Sequence, residues 1–114
     1  MTRKQLVLEN ILRSLGVTRR MIGFRYVVDM TEDVERDPDE LRLVTKGLYY
    51  RTAKRYGTTV GALERAVDCV VRRCWEKGDW ELLSEIAGYK LIEKPSSKDF
   101  LDILANYIHG VEEE

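Results

Sequence analysis

Tyr49-Tyr50-Arg51-Thr52-Ala53-Lys54-Arg55-Tyr56-Gly57-Thr58-Thr59-Val60-Gly61-Ala62-Leu63-Glu64-Arg65-Ala66-Val67-Asp68 is the stretch on which the reading of this chain turns. Ala53 stands four residues before Gly57, and Leu63 stands six after it. A small residue lets two helices cross closely, a glycine takes the turn between them, and a later aliphatic side chain locks the second helix. This spacing is the skeleton of a helix-turn-helix, and it equally suits an ordinary helical hairpin. Thr58 and Thr59 offer hydroxyl N-caps for the second helix, which runs to about Lys77. Leu63, Ala66, Val67, Val70 and Cys74 then fall at i, i+3, i+4, i+7 and i+11, the most regular amphipathic pattern in the chain.

The flanking sequence supplies further helices. A first is expected from about Lys4 to Leu15, with Leu8, Ile11, Leu12 and Leu15 at helical spacing and Gly16 ending it. A second starts after Thr18 as N-cap and runs toward Arg36, with Ile22, Tyr26 and Met30 on one face and Val27 and Val34 beside them. Asp37-Pro38-Asp39 breaks the chain, because Pro38 biases Asp37 away from helix and Asp39 can cap the next helix. That third helix, about Glu40 to Tyr56, should bury Leu41, Val44, Leu48 and Thr52. After Gly78, Asp79 caps a short helix containing Leu82, Leu83 and Ile86, which Gly88 closes. Residues 89–98 read as a connector. The last helix begins at Ser96 or Ser97 and carries Phe100, Ile103, Leu104, Tyr107 and Ile108 on one face, with Asp99 suiting its N-terminal dipole. The expectation is an all-α, compact six-helix single domain over residues 1–114, with the helix-turn-helix at about 40–77 and a frayed tail at 110–114.

Composition excludes several classes. The chain has 114 residues, 44% hydrophobic and 34% charged. That is the size of one domain, able to bury roughly two-thirds of its unfolded surface without a disulfide or metal staple. No stretch approaches the roughly 18 uninterrupted apolar residues of a membrane span, so no membrane partner is expected. The basic start, Met1-Thr2-Arg3-Lys4, does not lead into the apolar run of a secretory signal. Two cysteines in such a chain point to a reducing cytoplasm. The net charge of −1 hides an asymmetry: residues 39–77 carry nine Lys/Arg against five Asp/Glu, and residues 78–114 carry three against nine. A pI near 5.9 argues against a non-specific polyanion binder, while the basic middle permits a local phosphate-binding face.

With the buried stripe placed as above, 100° per residue puts Gly61, Arg65, Asp68 and Arg72 on the opposite face of the second helix, with Glu64 and Cys69 on its shoulders. A recognition helix over about 59–77 would enter the major groove of double-stranded DNA with its N-terminal half reading base edges. Arg65 suits the bidentate contact to guanine and Glu64 can accept from the cytosine amino group, with Gly61 and Asp68 also toward the bases. Thr58 and Thr59 stand where a hydroxyl or a free N–H meets phosphate, and Arg51, Lys54, Arg55, Arg72 and Arg73 could neutralise phosphates on either side. A solvated basic face is the plainer account of those five cations. Asp68 counts against DNA, because a carboxylate facing phosphates is repelled.

No catalytic, metal or cofactor site is expected. His109 is the only histidine, and nothing in sequence puts a nucleophile beside it. Cys69 and Cys74 point about 140° apart on one helix and cannot bridge; Cys74 reads as core and Cys69 as a surface thiol. Asp37-Pro38-Asp39-Glu40 lacks the spacing of a calcium loop and reads as a helix start. Trp75 and Trp80, flanking the Gly78 turn, read as packing anchors, and no glycine-rich phosphate loop is present.

The residues also carry a resemblance. Leu15-Gly16-Val17, Ile22-Gly23-Phe24-Arg25-Tyr26, Thr45-Lys46-Gly47-Leu48-Tyr49, Ala53 through Thr59, Leu63-Glu64-Arg65-Ala66, Cys74-Trp75-Glu76-Lys77-Gly78 and Gly88-Tyr89 resemble the C-terminal effector domain of the stage zero sporulation response regulators of endospore-forming bacteria. The likeness spans Leu12 to Leu104, about four-fifths of the chain, in the family's order. It implies six helices with a central helix-turn-helix, transcription regulation through duplex DNA, and a base-reading role for Glu64-Arg65. It further implies a surface for RNA polymerase sigma factor around Glu81 to Tyr89, and self-association on DNA through the C-terminal helices. The family has an arginine where this chain has Ala62 and an Arg-His pair where it has Asp68-Cys69, so two cations are absent from the DNA face and one anion is added. A receiver domain with a phosphate-accepting aspartate normally accompanies the family domain, and these residues are expected to act without it. The alternative reading is a degenerate member that keeps the fold as a protein-interaction module.

Overall fold

The computed structural model describes residues 2–111. Along them run α1 (Arg3–Ser14), α2 (Gly23–Arg36), an irregular helical stretch ending in α3 (Tyr50–Arg55), α4 (Val60–Glu76), α5 (Trp80–Ala87) and α6 (Ser97–His109). No strand occurs among the described residues. The fold is all-α, with α2 at its centre, packed against α1, α4 and α6. The expected fraying at 112–114 lies outside the described residues.

The helix starts are those that the short polar residues dictate. Thr59 accepts from the Ala62 N–H at 3.1 Å, Asp79 from Leu82 at 3.0 Å and Ser96 from Asp99 at 3.1 Å. Thr2 and Gln5 form a reciprocal capping box on α1. Each such cap is worth about 1 kcal/mol.

Three expectations need correction. First, α2 begins at Gly23, not after Thr18, and Ile22 is 74% exposed rather than buried. Thr18 instead accepts, through its carbonyl, from the Met21 N–H in a turn. The cause is the crossing of α2 and α4. An ideal Cβ on Gly23 would lie 2.4 Å from the Ala66 carbonyl oxygen and 2.7 Å from Val70 Cγ2, so this position must face α4 and must lack a side chain. The buried face of α2 is therefore Phe24, Val27, Val28, Met30, Thr31 and Val34. Second, the helix expected over Glu40 to Tyr56 is not one α-helix. It is a 3₁₀ segment (Pro38–Leu43), a π-helical segment (Val44–Tyr49) and then α3. Leu43, at φ −127° and ψ 63°, breaks the first from the second. Pro38, the β-branched pair Val44-Thr45 and Gly47 all weaken a regular helix here. Leu48, Tyr49, Thr52 and Ala53 are buried, Leu41 and Val44 are half-buried, and Leu43 is exposed. Third, Tyr107 is 44% exposed, and α6 buries Leu101 and Ala105 in addition to the expected stripe.

Glu9 is the one buried acidic side chain among the described residues, at 1% exposure. Its Oε1 meets Arg19 Nη2 at 2.9 Å and Arg13 Nη2 at 3.3 Å, and its Oε2 meets Arg25 Nη2 at 3.5 Å. Burial pushes the carboxyl up, but the Arg19 hydrogen bond and the charges of Arg25, Arg19 and Arg13 outweigh it and hold Glu9 below the ordinary carboxylate value. This cluster ties α1 to the α1–α2 turn and to the first turn of α2.

Candidate nucleic-acid interface

α3 ends in a Schellman turn. Gly57 takes φ +65°, its N–H donates to the Lys54 carbonyl at 3.2 Å, and the Thr58 N–H reaches back to Ala53 at 2.9 Å. Ala53 is buried, and Leu63 is fully buried six residues past the glycine. Gly57, Ala53 and Leu63 thus take the local roles that their spacing implies. Thr58 has spent its N–H on this turn. Thr59 has committed a hydroxyl lone pair to the α4 cap, and the first-turn N–H groups of Val60 and Gly61 have no intrahelical acceptor.

α4 turns Leu63, Val67, Val70, Val71 and Cys74 into the core, each fully buried. Gly61, Arg65, Asp68, Cys69, Arg72 and Arg73 are exposed, and Glu64 is half-buried. Burial pushes the Cys74 thiol up to about 12. The outward face of α4 is thus the one that the 100° arithmetic assigned. Its two flanks differ chemically. On one side, Ser97 of α6 donates to Asp68, and Tyr49 lies close by. Burial, then the charges of Asp68 and Glu64, push the Tyr49 hydroxyl up to about 12, against a Ser97 hydrogen bond that lowers it. Asp68 is therefore held at the start of α6 rather than standing free on the open face.

The cations are also unequal. Arg51 pairs with Glu40, and Arg55 lies 3.6 Å from Asp29, which also accepts from the Tyr56 hydroxyl. Burial and the Asp29 contact push that hydroxyl up to about 12. Lys54 Nζ sits 5.8 Å from the centre of the Tyr50 ring. Arg65 and Arg72 meet no carboxylate among the described residues, and Arg73 Nε lies within 3.9 Å of an ideal Cβ on Gly16. Arg65, Arg72 and Arg73 are therefore the exposed cations of α4 with no carboxylate partner among the described residues.

The other flank of α4 was not legible in the sequence. Met21, Ile22, Gly23 and Tyr26 face Thr58, Ala62, Arg65, Ala66 and Cys69 across an apolar cleft of about 470 Å³. The α1–α2 turn thus lies alongside the helix. The signal for it was the Arg19-Arg20-Met21-Ile22-Gly23 run, in which a basic pair and a glycine bracket two apolar residues.

The comparison with known families gives the class, a family of DNA-binding regulators. A family model described as the C-terminal domain of the sporulation initiation factor Spo0A matches residues 8–108, and the chain belongs to that family. No helix among the described residues is long and apolar enough to cross a membrane.

Proposed function

We propose that this chain is a sequence-specific DNA-binding regulator of transcription in the cytoplasm, one domain whose helix-turn-helix lays α4 in the major groove. The observation that carries the reading is Arg65. It stands on the outward face of α4, six residues and so nearly two turns past the Thr59 cap, and meets no carboxylate among the described residues. Arg65 makes the bidentate guanine contact, with Glu64 beside it as acceptor and Gly61 allowing close approach. Asp68 borders the same groove. Arg72, Arg73 and Lys54 meet phosphates, together with Thr58, Thr59 and the N-terminus of α4. Arg51 and Arg55 contribute by sharing their carboxylate partners. The family likeness supports a sigma-factor surface around α5, where Trp80 and Tyr89 are exposed. The acidic residues 78–114 against the basic residues 39–77 support pairing of copies on DNA.

The second reading, a protein-interaction module, rests on Ala62, Asp68 and Cys69, none of which helps a helix bind phosphates. Selection of duplexes from a random pool separates the two. On a selected duplex, Arg65→Ala should cost about 1–3 kcal/mol and flatten preference at one base pair. Lys54→Ala should weaken all sequences alike and lower the salt slope by about one. Equal affinity and equal preference for wild type and Arg65→Ala would make the interaction module the better account.

A further inference from the structure

We propose that the α1–α2 turn, residues 17–22, is a second DNA-contacting element, which grips the strand running beside α4 with Arg19 and Arg20 on phosphates and Ile22 against the sugars. The inference rests on the DNA-binding reading and adds a surface to it.

Placement comes first. The turn leaves Gly16, near Arg73, and arrives at Gly23, against Ala66 and Val70, so it runs along the flank of α4. Met21 and Ile22 look across the cleft at Ala62, Arg65 and Cys69. A duplex that takes α4 into its major groove must pass one of the bordering strands over this flank.

Charge is the second observation. Three guanidinium groups, those of Arg13, Arg19 and Arg25, share the single carboxylate of Glu9. Arg20 is exposed and meets no carboxylate among the described residues. The cluster of these four arginines and Glu9 therefore keeps three positive charges, with Arg73 of α4 beside Gly16 at the start of the turn and Asp79 and Glu81 on the Arg13 side. The nearby acid of α2, Asp29, is already engaged by Arg55 and Tyr56. Such a surface complements a polyanion that tracks along the helix.

The third is the exposed Ile22. A 74% exposed isoleucine at the rim of an apolar cleft, with Arg65 across it and Arg19 and Arg20 just before it in the chain, suits a sugar-phosphate strand, which offers apolar sugar edges between its charges. The turn is also preorganised. Val17 is fully buried behind it, Glu9 pins Arg19 from inside, and the contact of Gly23 with α4 fixes its exit. A rigid contact element loses little entropy on binding.

The test uses the whole chain and a duplex selected by wild type, with a scrambled duplex beside it, in fluorescence anisotropy across a salt series. Arg20 and Ile22 are exposed, so Arg20→Ala and Ile22→Asp should melt with wild type. Arg20→Ala should weaken selected and scrambled duplexes by a similar factor and reduce the salt slope by about one. Ile22→Asp should weaken both more than tenfold. Ethylation of phosphates outside the groove that α4 occupies should hinder wild type and not Arg20→Ala. Suppose wild type binds and Arg65→Ala loses preference, yet both turn variants keep wild-type affinity and salt slope. The inference is then wrong and the recognition helix stands. If wild type binds no duplex, both fall, and capture of an acidic protein by the same arginines takes their place.

Discussion

Gly23→Ala tests the crossing that positions α4. The added Cβ would stand 2.4 Å from the Ala66 carbonyl oxygen, 2.7 Å from Val70 Cγ2 and 2.9 Å from the Ala66 carbonyl carbon. Two of these three atoms are backbone, so no rotamer change relieves the overlap. The helices must part by roughly 1 Å to restore ordinary contact, which places the substitution at the upper end of the about 1–3 kcal/mol cost of overpacking. Alanine's better helix propensity returns at most about 1 kcal/mol. The net loss is about 1–2 kcal/mol, a fall in Tm of roughly 5–15 °C for a domain of this size. Urea unfolding monitored by circular dichroism reads it directly. Gly61→Ala is the internal control: the nearest atom to its Cβ would be Arg65 Nη1 at 3.5 Å, so the same chemical change should be neutral or stabilising by up to about 1 kcal/mol. A Gly23→Ala protein as stable as wild type would refute the close crossing and with it the placement of the α1–α2 turn beside α4.

Four other perturbations have definite expected outcomes. Val67 is fully buried, so Val67→Asp should unfold the domain, since an unpaired buried carboxylate costs several kcal/mol of a typical 5–15; an unchanged melting temperature would contradict the packing of α4. Glu9 is held below its ordinary value of 4.5, so its charge adds stability above about pH 4.5 that fades as pH falls through the lower folded value; Glu9→Gln should be less stable than wild type at neutral pH, with the gap closing in acid melts. A thiol reagent at pH 8 should label one cysteine in the folded protein, the exposed Cys69, and reach the buried Cys74 only on unfolding. Asp68→Asn keeps an acceptor for Ser97 and removes the charge, so it should tighten duplex binding several-fold at low salt, an effect that shrinks as salt rises, and leave Tm nearly unchanged.

Short-range chemistry decides the features that were legible in the sequence. Thr59, Asp79 and Ser96 cap their own helices, Gly57 ends α3, and the i, i+3, i+4, i+7 stripe of α4 faces inward wherever its partners lie. The failures share a different cause. Ile22 has the hydropathy of a core residue and the right spacing to Tyr26 and Met30, yet Gly23 claims the contact with α4 and turns Ile22 outward. The irregular stretch from Pro38 to Tyr49 has no single decisive breaker. Its π-helical segment ends in the buried Leu48 and Tyr49, which keep helical i, i+4 spacing to Thr52 and Ala53, so periodicity gives the burial and not the helix type. The burial of Glu9 drew no expectation from the sequence, because two of its partners, Arg19 and Arg25, come from other elements.

Asp68 shows how the same limit bears on function. In sequence it is a bare carboxylate on the recognition face, and it weighs against DNA by simple repulsion. In the structure it accepts from Ser97 in the first turn of α6, so part of its charge is met by a hydroxyl and by the positive end of that helix. The anion on the DNA face is therefore weaker than the formal count says, and it lies on the α6 flank, away from the α1–α2 turn. The opposite flank carries the α1–α2 turn with its exposed Arg19 and Arg20, which a helical wheel of α4 alone cannot include. A wheel weighs the charges of one helix, whereas a duplex meets the surface that three elements build together. On the proposed reading, phosphate lies on the turn side of that surface, and the objection from Ala62, Asp68 and Cys69 loses much of its force.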